Sequence, residues 1–364
     1  MTKLTLQNTI PHVKAKITQN DGTNLFADAA TGPANLFLHS LFSQVDISLN
    51  GTLITASTNT YPYRAMLETL LSYGQDAKTS QLTSALYYKD TAGHMDSTTF
   101  DHNVNEGLAA RRRLSARSAV MDMIGRLHAD IFFQERYMLN EVNVKMKLIR
   151  SKDAFCLMGG ASYKVQIMYS SLFVQKVKLM PSVFIAHAKV LERGTAKYPI
   201  RRVICKSFTI PERYRDVNHE KLFSRQLLTR IMIGLVDNRA FNGDRERNPF
   251  NFRHFGLSKI CLCLDGQQQH ATRPIEPNFG TGEYIRAYNT VFAETGKLRA
   301  DERLFINCEN YRSGNALYAF DLTADLDEQD HFSFVRQGNV RAGCVYTWTT
   351  ATENISIRLD IRLL

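Results

Sequence analysis

The sequence lacks the marks of secreted, membrane-spanning and redox-active chains. Its 364 residues contain no run of about 18 apolar residues, so no transmembrane helix is predicted, and its first residues form no apolar signal-peptide core. The six cysteines include no Cys-x-x-Cys pair. This spacing excludes the common zinc and dithiol motifs and indicates a reducing compartment, or at least a fold that does not depend on disulfides.

Catalytic signatures are absent as well. The sequence has no Gly-x-Ser-x-Gly nucleophile elbow, no Gly-x-x-x-x-Gly-Lys-[Ser/Thr] phosphate loop and no His-Glu-x-x-His zinc motif. His94, Asp96, Asp101 and His102 could surround a divalent ion, but nothing in their spacing fixes a ligand geometry. We interpret them as solvated loop residues and expect no enzyme activity, no cofactor and no metal.

What remains is the composition of an ordinary globular protein, with 44% hydrophobic and 22% charged residues. A chain of 364 residues is long enough for two domains. The formal net charge of +10 permits a polyanionic partner, although much of the basic excess stands singly along predicted strands. Charge alone therefore assigns no nucleic-acid surface.

The clearest local signal is the segment Gln44–Thr55, which predicts a β-hairpin. Asn50-Gly51 is a dipeptide favoured in two-residue hairpin turns. Before it, Val45, Ile47 and Leu49 alternate with polar residues, so the strand should have one buried and one wet face.

Similar alternation predicts strands in both halves of the chain, including His128–Phe133 and Phe332–Val335. Helices are predicted at 61–74 and 181–194, because each has a proline in its first turn, an apolar stripe and a glycine at its end. The polar stretch 75–117 has little periodicity, which is typical of a functional or mobile loop.

The two halves share an order of elements. Four segment pairs correspond, at offsets of 215, 222, 199 and 198 residues: Ile47–Gly51 with Leu262–Gly266, Tyr63–Gly74 with Ile285–Gly296, Val120–Met123 with Ala319–Leu322, and Asn140–Val142 with Gly338–Val340. Each match alone is weak, but four in one order favour a duplicated β-domain with the 75–117 stretch inserted in the first copy. Each copy would hold about eight strands, which in two antiparallel sheets is the jelly-roll arrangement.

Several longer segments resemble a known family: Leu41–Gly51, Thr60–Gly74, Tyr88–Asp96, Asn248–Phe252, Leu317–Leu326 and Arg336–Arg341. They are similar to segments of the hexon-type major capsid proteins of adintoviruses and Polinton (Maverick) elements. The resemblance extends from about residue 10 to the end of the chain.

The resemblance implies a double jelly roll in which three subunits form a pseudo-hexagonal capsomer. It also implies the partners of such a protein in a virion: two further copies in a homotrimer, neighbouring capsomers, a penton-type minor capsid protein and packaged double-stranded DNA. The chain begins almost at its first predicted strand and ends directly after its last, so genome contact through flexible termini is not expected.

Two arginine-rich segments are the candidate contact sites. The first could touch DNA phosphates through sequence-independent, salt-sensitive contacts, could pair with acidic groups of a neighbouring subunit, or could be a solvated loop. The second is interleaved with Asp237, Asp244 and Glu246, and mixed signs favour subunit contacts over a nucleic-acid groove. The candidates are Arg111, Arg112, Arg113 and Arg117 in the first segment, and Arg245 and Arg247 in the second.

The sequence thus predicts an all-β fold with short helices: a double jelly roll of two eight-stranded antiparallel β-sandwich domains. We place the first jelly roll at 1–180, a connecting helix at 181–195 and the second jelly roll at 196–364. The predicted function is a structural major capsid protein whose trimers tile an icosahedral shell around double-stranded DNA. The alternative is a two-domain β-sandwich module that binds carbohydrate or nucleic acid, which would need a concave aromatic or basic site.

Overall fold

Antiparallel strands carry most of the structure, in agreement with the alternating apolar pattern. The computed structural model describes residues 2–55, 57–139, 142–160, 163–198, 200–211, 216–226, 228–264, 267–268, 273–299, 304–323, 337–346 and 355–363. In this part of the chain eight strands come first: β1 (Thr2–Gln19), β2 (Thr31–Pro33), β3 (Phe42–Leu49), β4 (Thr52–Leu53), β5 (Met121–Ile124), β6 (Val144–Arg150), β7 (Leu157–Gly159) and β8 (Tyr163–Lys178). Eight more follow a helix at 181–193: β9 (Arg202–Ile210), β10 (Asp216–Gln226), β11 (Arg230–Asp237), β12 (Leu257–Leu264), β13 (Gln267–Gln268), β14 (Leu317–Asp321), β15 (Gln337–Tyr346) and β16 (Ile355–Leu363).

The helices are short and lie between strands. They are α1 (Phe37–Ser40), α2 (Tyr61–Ser72), α3 (Gln75–Thr79), α4 (Glu106–Ser115), α5 (Asp153–Cys156), α6 (Pro181–Arg193), α7 (Asn238–Asn242), α8 (Ile285–Ala293) and α9 (Cys308–Arg312). None of the helices in the described ranges has the length and apolar character needed to cross a membrane.

The strands after α6 form two four-stranded sheets. One has the order β14-β11-β16-β9 and the other β10-β15-β12-β13, and every pairing is antiparallel. Neighbours in each sheet are mostly distant in sequence, so the chain crosses repeatedly from one sheet to the other. Eight antiparallel strands arranged in this way form a jelly roll.

The strands before α6 repeat most of that order. Strand β1 lies between β5 and β8, as β11 lies between β14 and β16, and β3 lies between β4 and β6, as β12 lies between β13 and β15. The remaining two strands, β2 and β7, pair with each other in a small separate sheet. Among the described residues the first half has no counterpart of β9 or β10, so β6 and β8 lie at sheet edges.

This difference changes the burial of equivalent residues. Leu49 is paired with Val144 in the first half, and its equivalent Leu264 is paired with Val340 in the second. Three apolar residues of β6 are only partly buried, whereas the equivalent residues of β15, which β10 flanks, are buried: Val144, Met146 and Leu148 against Val340, Ala342 and Cys344. The open edge therefore leaves one face of the first sandwich partly accessible.

The hairpin that marked the repeat is present in both halves. Ser48 is paired with Leu53 and Cys263 with Gln268, which confirms the offset of 215 for the residues that flank the turn. Asn50 and Gly51 have φ angles of 48° and 83°, the left-handed values that a tight turn requires and that these two residue types tolerate. The corresponding turn at 265–266 lies outside the described residues.

The predicted offset of 198 near residue 140 is wrong by two, because the pairing makes Val144, and not Val142, the equivalent of Val340. A two-residue slip keeps every side chain on its face, so alternation could not reveal it. The predicted strand at His128–Phe133 is a 3-10 turn over Asp130–Phe133, and the strand predicted at Phe332–Val335 lies outside the described residues.

Aromatic side chains join the two halves. Tyr63 on α2 is 1% exposed, and its ring lies 5.8 Å from that of Phe155 and 5.7 Å from that of Phe250 in the second half. Such edge-to-face pairs add about 0.5–1.5 kcal/mol beyond the burial of their area. Tyr61 is buried as well, and α2 packs against strands of both halves.

Candidate functional site

Four loop segments meet at the end of the sandwiches where β1 and β11 finish, and we call them the loop cap: residues 20–41, 75–117, 238–256 and 304–316. Side chains of the 75–117 segment are bonded to each of the other three segments. The stretch that the sequence predicted to be a functional or mobile loop is therefore packed between both halves of the chain.

Helix α4 positions the central side chain of the loop cap, Arg111. The helix is capped by Asn105, whose Oδ1 accepts a hydrogen bond from the backbone N–H of Leu108 at 3.3 Å. Gly107 lets the helix approach the neighbouring backbone closely, because a Cβ at this position would collide with the carbonyl oxygen of Lys89. The guanidinium of Arg111, on the inward face of α4, consequently lies inside the loop cap.

Every nitrogen of that guanidinium donates a hydrogen bond within the chain. Arg111 Nε donates to Pro33 O at 2.9 Å, Nη1 to Tyr88 O at 2.8 Å and Nη2 to Asp90 Oδ1 at 2.8 Å. The other oxygen of Asp90 accepts from Asn248 Nδ2 at 3.0 Å, which extends the network to the second half. Because Arg111 is 0% exposed, its predicted role as a surface contact for DNA or another subunit is wrong.

Two lysines, Lys78 buried and Lys89 half-buried, bind backbone carbonyls at the same junction. Lys78 Nζ donates to Leu70 O at 2.9 Å and to Leu304 O at 2.7 Å, and burial lowers its pKa to about 7. Lys89 Nζ donates to Phe305 O at 2.5 Å and lies 3.8 Å from the centre of that aromatic ring. Burial lowers the pKa of Lys89 to about 8.

Asp96 also belongs to this junction, although the sequence indicated a solvated residue. Its Oδ1 accepts from the backbone N–H of Asn248 and its Oδ2 from Asn251 Nδ2, both at 2.8 Å. Burial raises the pKa of its carboxyl group despite these bonds. Within the described ranges no group of three or more His, Cys, Asp and Glu residues is arranged to hold a metal ion.

Three other candidate arginines also make contacts within the chain. Arg112 Nε donates to Ala29 O at 3.2 Å, and Arg245 Nη1 donates to Gly160 O at 2.8 Å. Arg247 lies 3.9 Å and 3.8 Å from two carboxylates. These side chains join loop segments of one chain, which leaves less of their charge for an outside partner.

Arg113 and Arg117 are the exposed members of the candidate set. Arg113 lines an open cleft of about 870 Å³ together with Lys89, Glu106 and Glu309, so the cleft carries both signs of charge. The structure therefore does not gather the six candidate arginines into one basic surface.

A second buried network, which sequence reasoning missed, runs along α2. Its members are linked in order: His39 Nδ1 lies 2.9 Å from the hydroxyl of Tyr61, and His128 Nδ1 lies 2.6 Å from Glu68 Oε2. Glu68 Oε1 in turn accepts from Arg64 Nε at 3.0 Å. Burial, and then the nearby charge of His128, hold the pKa of His39 well below its usual value.

This network reaches the second half through β9. Arg64 Nη2 donates to Asp130 Oδ1 at 2.5 Å, and Arg64 Nη1 donates to Val203 O at 3.2 Å. The same carboxylate oxygen accepts from the backbone N–H of Val203 at 3.1 Å. The four-residue spacing of Arg64 and Glu68 on a predicted helix was the one signal that could have indicated part of it.

No protein-family model matches the chain. An uncharacterized protein of Caenorhabditis elegans is 25% identical over 316 residues, which are 85% of this chain and 72% of that protein.

Solved structures match it over nearly its whole length. A chain of the Sputnik virophage gives a TM-score of 0.61 at 10% identity and covers 99% of this chain and 80% of its own length. The Faustovirus major capsid protein gives 0.54 at 8% identity, with 99% and 84% covered, and the mavirus major capsid protein gives 0.50 at 12% identity, with 99% and 80% covered. At identities this low the structural matches show a shared fold, and that fold confirms the predicted all-β double jelly roll.

Proposed function

We propose that this chain is a major capsid protein, which builds the wall of a viral shell from trimers. The observation that carries the proposal is the pairing of two jelly rolls in one chain, locked together by buried contacts of the loop cap and of α2. Its fold likeness to the mavirus and Faustovirus major capsid proteins over 99% of the chain supports it.

The geometry suits a wall-building subunit. Two similar sandwiches that are held rigidly side by side give one chain two similar outer edges. Three such chains around a threefold axis present six similar edges, and a closed unit of this kind can pack hexagonally with its neighbours. The role is structural, and it needs no catalytic group.

The finer assignment follows the sequence resemblance. On that basis we assign the protein to the capsid proteins of adintoviruses and Polinton (Maverick) elements, in a virion that encloses double-stranded DNA. The domains are then the first jelly roll at 1–180, the connecting helix at 181–195 and the second jelly roll at 196–364. The partners are two further copies in a homotrimer, neighbouring capsomers, a penton-type minor capsid protein and, non-specifically, packaged DNA.

Within this proposal the exposed arginines of the loop cap act between molecules. Arg113 and Arg117 are available for acidic groups of a neighbouring subunit or for DNA phosphates. Arg112, Arg245 and Arg247 contribute less, because each already contacts its own chain.

The test is the mass of the purified protein in solution, measured by light scattering across a range of protein and salt concentrations. A chain of 41.4 kDa that trimerises gives about 124 kDa. A mass that stays at that of one chain at every concentration contradicts the proposal.

A further inference from the structure

Helix α6 presents apolar side chains that the chain does not cover. No residue of the helix is buried, and Phe184 is its only half-buried one. Val190 is 68% exposed and Ile185 is 55% exposed, and Met180, directly before the helix, is 73% exposed. A helix on a globular protein normally turns its apolar stripe toward the core, so this stripe is available to a partner.

Basic residues surround this helix. Residues 176–206 contain eight Lys or Arg residues against one acidic residue, Glu192, a net charge of +7 in a chain whose total is +10. Seven of the eight basic side chains are exposed: Lys176, Lys178, Lys189, Arg193, Lys197, Arg201 and Arg202. The apolar stripe therefore lies within a strongly basic segment.

The position of α6 in the fold puts the helix at one end of the sandwiches. Strand β8 finishes at Lys178, which is paired with Thr2 at the start of β1, and β9 begins at Arg202, which is paired with Leu363. The loop cap begins where β1 finishes. Helix α6 consequently lies at the end of the sandwiches opposite the loop cap, and contacts of the second half with the first are made after it, at Lys197 and Val203.

Helix geometry separates the valines from the basic side chains. At 100° per residue Val183 and Val190 share one side of α6, while Lys189 and Arg193 lie on another, and Ile185, four residues before Lys189, lies on the basic side and not with the valines. A partner must therefore offer an apolar layer next to negative charge. A second copy of the segment brings the same net positive charge and is repelled, and a nucleic-acid duplex offers phosphates but no apolar layer for the valines.

We propose that α6 and its basic flanks, residues 176–206, form a docking surface for an anionic lipid bilayer. The helix lies in the plane of the membrane surface, with the valine side at the level of the acyl chains and the basic side chains among the head groups. This inference goes beyond the capsid role and does not depend on it.

The test is flotation of the full chain with vesicles of phosphatidylcholine and phosphatidylserine, compared with vesicles of phosphatidylcholine alone. Each Lys or Arg near an anionic surface changes partitioning by about fivefold, so K189Q/R193Q should weaken binding about 25-fold. V183S/V190S should weaken it about tenfold, since it removes apolar contact but no charge. Because α6 has no buried residue, both variants should fold like the parent protein in circular dichroism and melting.

The matched control is K152Q/R299Q, which removes the same charge from exposed residues outside the segment. It should bind anionic vesicles nearly as well as the parent protein. Equal binding to both vesicle types, no binding to either, or an unchanged affinity of V183S/V190S overturns the proposal.

A duplex DNA probe distinguishes binding to nucleic acid from binding to anionic lipid. If the parent protein binds DNA but not anionic vesicles, and K189Q/R193Q abolishes DNA binding, the surface is a nucleic-acid site and the membrane proposal is wrong. A protein that is trimeric but does not float with vesicles also overturns it, while leaving the capsid proposal intact.

Discussion

Arg111 Nη2 and Asp90 Oδ1 lie 2.8 Å apart, and neither side chain is exposed to solvent. The pair sits where α4 meets the second half of the chain, and Asn248 binds the other oxygen of the carboxylate. An ion pair in this position links the two halves in the interior, and the loss of one partner leaves an uncompensated buried charge.

Replacing Arg111 with methionine should therefore cost about 3–5 kcal/mol of unfolding free energy, measured by urea denaturation. The change keeps much of the side-chain volume but leaves Asp90 and two carbonyl oxygens without their donor. Arg113→Met is the matched control, since Arg113 is exposed on the same helix and its removal should have little effect. Equal stability of the two variants would contradict this role of the buried ion pair.

The duplicated fold has an aspartate at equivalent positions in its two halves. Asp122 faces Lys14 in the first half, and at an offset of 199 Asp321 faces Arg230 in the second. The side chains of Arg230 and Asp321 are only 4% and 6% exposed, whereas that of Asp122 is 56% exposed. Asp321→Asn should cost about 3 kcal/mol in the same denaturation assay. Asp122→Asn should cost clearly less, and the reverse order would show that the two positions are not equivalent.

The network along α2 predicts sensitivity to acid. Burial lowers the pKa of His39 in the folded protein, so the unfolded chain binds a proton more readily. Stability should then fall as the pH drops below about 6.5, toward the lowered pKa of the folded state. The groups that face His39 are Tyr61, His128 and Glu68, and all of them are buried.

A melting curve taken at each pH value measures this loss. His39→Gln should flatten the acid side of the profile, because glutamine can still bond to the Tyr61 hydroxyl but does not titrate. His102→Gln is the control, since His102 is 72% exposed and should leave the slope unchanged. An identical slope in parent and His39→Gln proteins would remove His39 as the cause.

Hydrogen exchange on the 364-residue chain can test whether the edge of the first sandwich is open, because amides at an open edge exchange faster. Among the strands that the structure describes, β6 has a paired neighbour on one side only, whereas its counterpart β15 is paired on both. The edge-facing amides of β6 should exchange about tenfold faster or more than those of β15. Equal protection of the two strands would mean that the edge is covered in solution.

Local chemistry explains how much of this could be predicted. The turn at Asn50-Gly51, the prolines in the first turns of α2 and α6 and the glycine that ends α6 are properties of neighbouring residues, and all are present in the structure, whereas α2 ends at Ser72, before Gly74. The duplication was detectable because equivalent strands kept similar residues at nearly constant offsets.

The buried contacts between the two halves could not be predicted in this way. Arg111 stood in an arginine run that resembled a surface patch, and its burial depends on Asp90 and on carbonyl groups far away in sequence. Strand β10 was missed, and the 75–117 segment gave no periodic signal because its helices are short and its bonds go to other loops. The burial and the partners of such residues depend on long-range contacts, which one sequence does not contain explicitly.

If three copies of this chain form a pseudo-hexagonal capsomer, class averages of the purified protein by electron microscopy should show it directly. We expect threefold particles with six similar lobes, two from each chain, which pack into hexagonal sheets or closed shells as the concentration rises. Particles with only two lobes at every concentration would contradict it.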